Sequence, residues 1–132
     1  MCKKFNTFYC LILFCMIVLN KKYRSKKVSN IGRKFNIITL CGSIRFKEEF
    51  LKVQERLTLK GNIVFTPNFF NNFKGEISVE MKKMLDEMHR EKIDLSDEIY
   101  VINLNEYIGE STKSEIEYAI ANGKKVKYLE DI

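Results

Sequence analysis

The sequence predicts an α/β domain in which a mainly parallel sheet is covered by helices on both faces. Short β-branched runs alternate with longer runs whose apolar residues recur every three or four positions. Strands connected through helices in this order are joined by right-handed crossovers and therefore lie parallel. The chain has 132 residues, of which 45% are hydrophobic, so it can form one packed core of this kind.

Four strands and three helices are predicted after residue 34. The strands are expected at 36–41, 62–65, 98–104 and 125–129, and the helices at 46–60, 78–95 and 112–122. This order is typical of a Rossmann-like or flavodoxin-like three-layer sandwich with four or five strands. Ligands bind such sheets beyond the carboxyl ends of the strands, where the loops 42–45, 66–77 and 105–111 would meet.

Residues 1–34 differ in composition from the domain predicted at 35–132. Nine of the 23 basic residues and none of the 17 acidic ones lie in this extension, which leaves the domain with a net charge of −3. A slightly acidic domain does not attract a polyanion, so nucleic acid is not an expected partner. The apolar run at 8–19 is shorter than the about 20 residues that a membrane span needs. It fits a weak membrane anchor, a signal-peptide core without a cleavage site, or a leader without a role.

The cysteines and the histidine argue against a structural metal site. Three of the four cysteines lie in the extension, which leaves Cys41 alone in the domain. The chain has no Cys-x-x-Cys pair and one histidine, so a structural zinc site is not expected. A reducing, cytoplasmic setting fits this pattern best.

The segment 41–45, of sequence CGSIR, connects the first predicted strand to the first helix. Gly42 lets the backbone approach a ligand, and Ser43 offers a hydroxyl group where the helix N-terminus favours an anion. Arg45 could hold a phosphate or a carboxylate through two hydrogen bonds. The alternative is a plain turn between strand and helix, in which Ser43 only caps the helix.

The second helix carries the single histidine, His89. The predicted buried stripe of this helix consists of Met81, Met84, Leu85, Met88 and Leu95. His89 is expected at the edge of that stripe, from which an imidazole can reach a cleft. The alternative is a partly buried histidine that a neighbour satisfies. Asp97, just before the third strand, is interpreted as a carboxylate that caps a loop.

The third helix separates two glutamates. Its predicted buried face consists of Ile116, Ala119 and Ile120, with Glu115 at the margin and Glu117 pointing away. Glu115 is expected in the first helical turn, where the helix dipole favours the ionised carboxylate that a nucleophile requires. The alternative is a capping box, in which Glu115 only satisfies the backbone of Thr112.

Two motifs together resemble the nucleoside 2-deoxyribosyltransferase superfamily, which includes 2′-deoxynucleoside 5′-monophosphate N-glycosidases. They are CGSIR after the first strand and STKSEIEYAIANGKKV after the third, and the resemblance covers residues 35–129. It implies that Glu115 is the nucleophile that attacks C1′ of a deoxyribose. Two positions depart from the family, because His89 and Gly109 occupy positions where family members have a carboxylate.

The function implied by this resemblance is cleavage or exchange of an N-glycosidic bond in a deoxynucleoside or its monophosphate, without a metal or a cofactor. Glu115 would attack C1′ and His89 would assist the leaving base. The implied substrate-binding residues are Gly42, Ser43, Ile44, Arg45, Ser111 and Thr112. The family also implies a homo-oligomer. The alternatives are a non-catalytic nucleotide-sensing module and an adaptor that uses the fold only as a scaffold.

Overall fold

The computed structural model describes residues 32–130, which form one four-stranded sheet with helices on both faces. The strands are β1 (Asn36–Gly42), β2 (Asn62–Phe65), β3 (Glu98–Ile102) and β4 (Lys125–Tyr128). The helices are α1 (Lys47–Leu59), α2 (Val79–Leu95) and α3 (Glu110–Ala121). Short 3-10 turns at Ile44–Phe46 and Leu104–Glu106 follow β1 and β3. The predicted membrane contact at residues 8–19 lies outside the described residues.

All four strands are parallel, in the order β2-β1-β3-β4. The predicted α/β architecture with a mainly parallel sheet is therefore confirmed. From β1 the chain moves to one side to form β2, and β3 and β4 lie on the other side. The order reverses between β1 and β3, and ligands bind beyond the strand ends at such a switch point. No helix within residues 32–130 has the length and apolar character needed to cross a membrane.

The core consists of two apolar layers, one on each face of the sheet. The layer under α1 is built from Ile38, Leu40, Phe50, Val53, Leu57 and Ile102. The layer under α2 and α3 is built from Cys41, Ile93, Ile99, Val101, Ile116 and Ala119. Consecutive residues of β1 serve opposite layers, because side chains alternate across a strand. Cys41 therefore faces α2 and α3.

The prediction for the buried face of α2 was wrong. Met84 and Met88 are 49% and 45% exposed, whereas His89 and Ile93 are buried against the sheet. Ile93 packs into the layer that contains Ile99, and His89 lies one turn earlier on the same face. The histidine is thus part of the buried face itself. Tertiary packing selected this row of residues over the neighbouring methionines.

The predicted start of α3 was also wrong. The helix begins at Glu110 with Gly109 as its N-cap, and the amide of Lys113 donates to the carbonyl of Gly109 at 2.9 Å. Thr112 is therefore inside the helix, where it is buried, and it cannot form a capping box with Glu115. Glu115 falls in the second turn, so the argument from a first-turn carboxylate at the helix dipole also fails. Ile120, predicted to be buried, is 61% exposed.

Asp97 connects the start of β3 to β1, as its interpretation as a capping carboxylate predicts. Its carboxylate accepts a hydrogen bond from the amide of Ile37 at 2.8 Å and pairs with the Arg33 guanidinium at 2.6 Å. Arg33 belongs to the predicted extension, but it contacts the domain. The residues from Gly32 onward group into one compact unit.

Two glycine turns lie at the amino ends of the strands. Gly61 precedes β2 and Gly123 precedes β4, with φ angles of 85° and 68°. These angles favour glycine because other residues would be strained there. A Cβ atom added at either position would meet nothing within 4 Å. Both turns therefore lie in open space at the end of the sheet formed by the amino ends of the strands, which is opposite the switch point.

We expect a chain that begins at Gly32 to fold without residues 1–31, because the described residues 32–130 form two apolar layers among themselves. Circular dichroism and urea unfolding of the shortened and full-length chains would measure this. A shortened chain that lacks a cooperative unfolding transition would show that the extension contributes to the core.

We expect Gly42→Ala to destabilise the domain by about 1–3 kcal/mol through overpacking. An added Cβ would lie 2.9 Å from the Ile102 carbonyl oxygen and 3.1 Å from the Phe50 ring. The control is Gly75→Ala, where the nearest atoms belong to the exposed ring of Phe73, which can move away. Urea unfolding of both variants measures the difference. Equal stabilities would contradict the close approach of β1 and β3.

Candidate active site

A cleft of about 470 Å³ opens at the carboxyl ends of β1 and β3, at the switch point of the sheet. Its walls come from residues 42–44 after β1, residues 67–77, one face of α2 and residues 107–115. The volume falls within the range of about 300–1,000 Å³ that is usual for small-molecule sites. The three loops expected to converge do so here.

Seven of the eight residues predicted for the site line this cleft. They are Gly42, Ser43, Ile44, His89, Ser111, Thr112 and Glu115. The eighth, Arg45, does not line it. Its guanidinium lies 4.1 Å from the ring centre of Tyr107, donates to the Tyr107 hydroxyl at 2.9 Å and donates through Nε to Ser43 at 3.2 Å. Arg45 therefore contacts the cleft residues Ser43 and Tyr107, and its contact with a substrate phosphate stays a prediction.

Three polar side chains from three elements meet at the floor of the cleft. Cys41 ends the buried part of β1, His89 comes from α2 and Glu115 comes from α3. His89 Nε2 lies 3.6 Å from the Cys41 sulfur and 3.8 Å from Glu115 Oε1. Cys41 is fully buried beneath the floor, whereas His89 and Glu115 line the cleft. We refer to these three residues as the floor cluster.

Burial dominates the electrostatics of Glu115. It raises the pKa of the Glu115 carboxyl to about 7, and the negative charge of Asp86 acts in the same direction. A hydrogen bond from the Cys41 thiol partly offsets this effect. The second carboxylate oxygen, Oε2, is buried and has no hydrogen-bond partner among residues 32–130. A desolvated carboxylate with a free oxygen at a cleft is a frequent property of catalytic sites.

His89 and Cys41 are both uncharged near neutral pH. Burial, together with the positive charge of Lys92, lowers the pKa of His89 to about 4. Burial and the neighbouring Glu115 carboxylate raise the pKa of the Cys41 thiol well above its ordinary value. His89 can therefore offer one ring N–H as a donor, but it does not carry the extra proton of an imidazolium. The assistance that His89 gives to the leaving base stays a prediction. In the neutral form it consists of a hydrogen bond from the ring N–H.

Several cleft residues were missed by the sequence reasoning. Asp86 lies three residues before His89 on the cleft face of α2 and pairs with Lys82 at 2.6 Å. An aspartate at helical spacing from the histidine is a signal that could have identified it. Lys92 donates to the carbonyl of Thr66 at 2.8 Å and so fastens the loop after β2 to α2. Phe70 and Ile77 add an apolar wall, which sequence patterning could not place.

Comparisons with known proteins show a likeness to solved structures. No family model matches the chain, and a search of curated proteins also finds no match. Among solved structures, a 2-deoxyribosyltransferase from the psychrotolerant bacterium Bacillus psychrosaccharolyticus is similar, with 20% sequence identity and a TM-score of 0.56. The alignment covers 73% of this chain and 76% of that protein. At this identity the likeness shows the fold, and the α/β domain therefore shares the architecture of a 2-deoxyribosyltransferase.

Proposed function

We propose that this domain cleaves or exchanges the N-glycosidic bond of deoxynucleosides or deoxynucleoside monophosphates, with Glu115 as the nucleophile. The observation that carries the proposal is the Glu115 carboxylate, which lines the cleft at the switch point and has a buried, unpartnered Oε2. The motif resemblance and the fold shared with a 2-deoxyribosyltransferase support the same reaction class.

The proposed reaction begins with attack of an ionised Glu115 oxygen on C1′ of the deoxyribose. The bond from C1′ to the base nitrogen breaks, and its electron pair leaves with the base, which accepts a hydrogen bond from the neutral His89 ring and takes up a proton from solvent. Water or a second base then attacks C1′ and releases Glu115, so the configuration at C1′ is retained. A pKa of about 7 keeps a large fraction of the Glu115 carboxylate ionised at neutral pH. Burial leaves that carboxylate poorly solvated and therefore more reactive.

The walls of the cleft suit the parts of such a substrate. Phe70 and Ile77 offer an apolar surface for a planar base. Ser43 and Ser111 offer hydroxyl groups for the sugar, and the first turn of α3 favours an anion such as a 5′-phosphate. In this arrangement Arg45 is a positioning residue, because it acts through Tyr107 and Ser43.

We expect Glu115→Gln to lower release of the free base by at least about a thousandfold, as loss of a nucleophile does. The amide keeps the shape of the side chain and removes a buried charge, so the melting temperature should not fall. Glu117→Gln is the matched control, because Glu117 is exposed on the same helix. Chromatography of deoxynucleosides and their monophosphates, with and without an acceptor base, measures the release.

An active Glu115→Gln variant would overturn the assignment of the nucleophile. A wild-type domain that binds these nucleotides without releasing a base from any of them would instead identify a nucleotide-sensing module. Wild-type protein that neither binds nor cleaves them would leave the fold acting as a scaffold.

We expect His89→Ala to slow cleavage of natural deoxynucleosides by about 10²- to 10³-fold, the usual contribution of one hydrogen-bond donor to a developing charge, because the neutral imidazole can donate its ring N–H to the departing base. Deoxyribosides with an activated leaving group depend less on that hydrogen bond and should lose much less activity. Met88→Ala is the control, since Met88 is the neighbouring residue and is half exposed on the outer side of α2. Equal losses with both substrate classes would show that His89 serves position or folding.

A further inference from the structure

The floor cluster combines three kinds of metal ligand. Cys41 offers a sulfur, His89 a ring nitrogen and Glu115 a carboxylate oxygen, and these atoms all lie within 4.8 Å of one another. They are 48 and 26 residues apart along the chain, so no short sequence motif could indicate the grouping. Each ligand comes from a different element, and the packing of α2 and α3 onto β1 brings the three together.

The two distances from His89 to the other members of the floor cluster are close to those of a tetrahedral zinc site. With bonds of about 2.3 Å to sulfur and about 2.0 Å to nitrogen and oxygen, ideal edges are about 3.6 Å for S···N and about 3.3 Å for N···O. The structure has 3.6 Å between Cys41 and His89 and 3.8 Å between His89 and Glu115. The third pair, the Cys41 sulfur and a Glu115 carboxylate oxygen, lies within 4.8 Å, against an ideal edge of about 3.5 Å, so the Glu115 side chain moves toward Cys41 when the metal binds.

We propose that Cys41, His89 and Glu115 form a binding site for a thiophilic divalent cation such as Zn²⁺. The thiol proton passes to solvent as the sulfur–metal bond forms, and the thiolate and carboxylate together balance the charge of the cation. Sulfur and imidazole ligands select zinc over magnesium or calcium. His89 and Glu115 line the cleft, so the fourth coordination position opens toward it, where water binds.

This site holds the metal through the same carboxylate that we propose as the nucleophile. A bound cation takes the electron pair of Glu115 and places a charge where C1′ would lie. The consequence is reversible inhibition of base release, which a chelator relieves. Metal binding itself does not depend on the proposed reaction, so the two proposals can fail separately.

The first experiment titrates Co²⁺ into the untagged full-length chain after treatment with a chelator. Cys2→Ser, Cys10→Ser and Cys15→Ser are introduced together, so that Cys41 is the only thiol of the four in the sequence. We expect one equivalent of Co²⁺ to produce a thiolate-to-metal absorption band in the near ultraviolet, together with the visible bands of a four-coordinate ion. Zn²⁺ should then displace Co²⁺ and remove both sets of bands.

The second experiment removes the ligands one at a time. Cys41→Ala should abolish the thiolate band, and His89→Gln or Glu115→Gln should weaken binding by more than about 100-fold, the upper end of what loss of a residue that only orients a ligand costs. Glu117→Gln is the control and should bind as the parent chain does. If Cys41→Ala does not fold by circular dichroism, the His89 and Glu115 variants decide the question.

The single histidine provides an independent readout. The chain has one imidazole, so its ring resonances are assigned without ambiguity, and Zn²⁺ should shift them at one equivalent. An unmoved imidazole resonance, or a thiolate band that persists in Cys41→Ala, would overturn the site. If the metal binds but base release continues at full rate, the site stands as a metal site and the inhibition is wrong.

Discussion

The parallel pairing of β1 with β3 determines where every part of the cleft lies. Cys41 is opposite Val101 and Gly42 is opposite Ile102, so the loops that follow the two strands start side by side. The chain turns to opposite sides of the sheet from this pair, which leaves a gap between the loops. Because α2 and α3 pack on the same face of β1 and β3, their inward side chains converge on Cys41.

The floor cluster lowers the stability of the fold because it places polar groups at the edge of an apolar layer. Its burial therefore points to a functional role. A carboxylate with an unpartnered oxygen and a buried imidazole both lose hydration that their neighbours replace only in part. The surrounding layer, which includes Ile93 and Val101, can compensate for this cost. Folded proteins retain such groups mainly where binding or chemistry requires them. The proposed nucleophile and the proposed metal site both use the desolvated carboxylate of Glu115.

The strand and helix order could be predicted because β-branched runs and helical periodicity are local properties of the chain. The rotation of each helix about its axis could not, since α2 contains two rows of apolar residues and only packing chooses between them. His89 was therefore placed at the edge of a buried face to which it fully belongs. The loop residues of the site were found because they follow strand ends, but Arg45 turned toward an aromatic ring on another loop. The contact of Cys41 with Glu115 joins residues distant in sequence, and no local pattern encodes it.

The turns at Gly61 and Gly123 have a practical consequence. They lie at the amino ends of β2 and β4, whereas every cleft wall follows a carboxyl end or comes from a flanking helix. Added atoms there meet open space. Short insertions or attachment chemistry at these turns would immobilise the protein on a solid support with its cleft facing the solution. Replacement residues would have to tolerate the left-handed backbone, so asparagine is the first choice beside glycine.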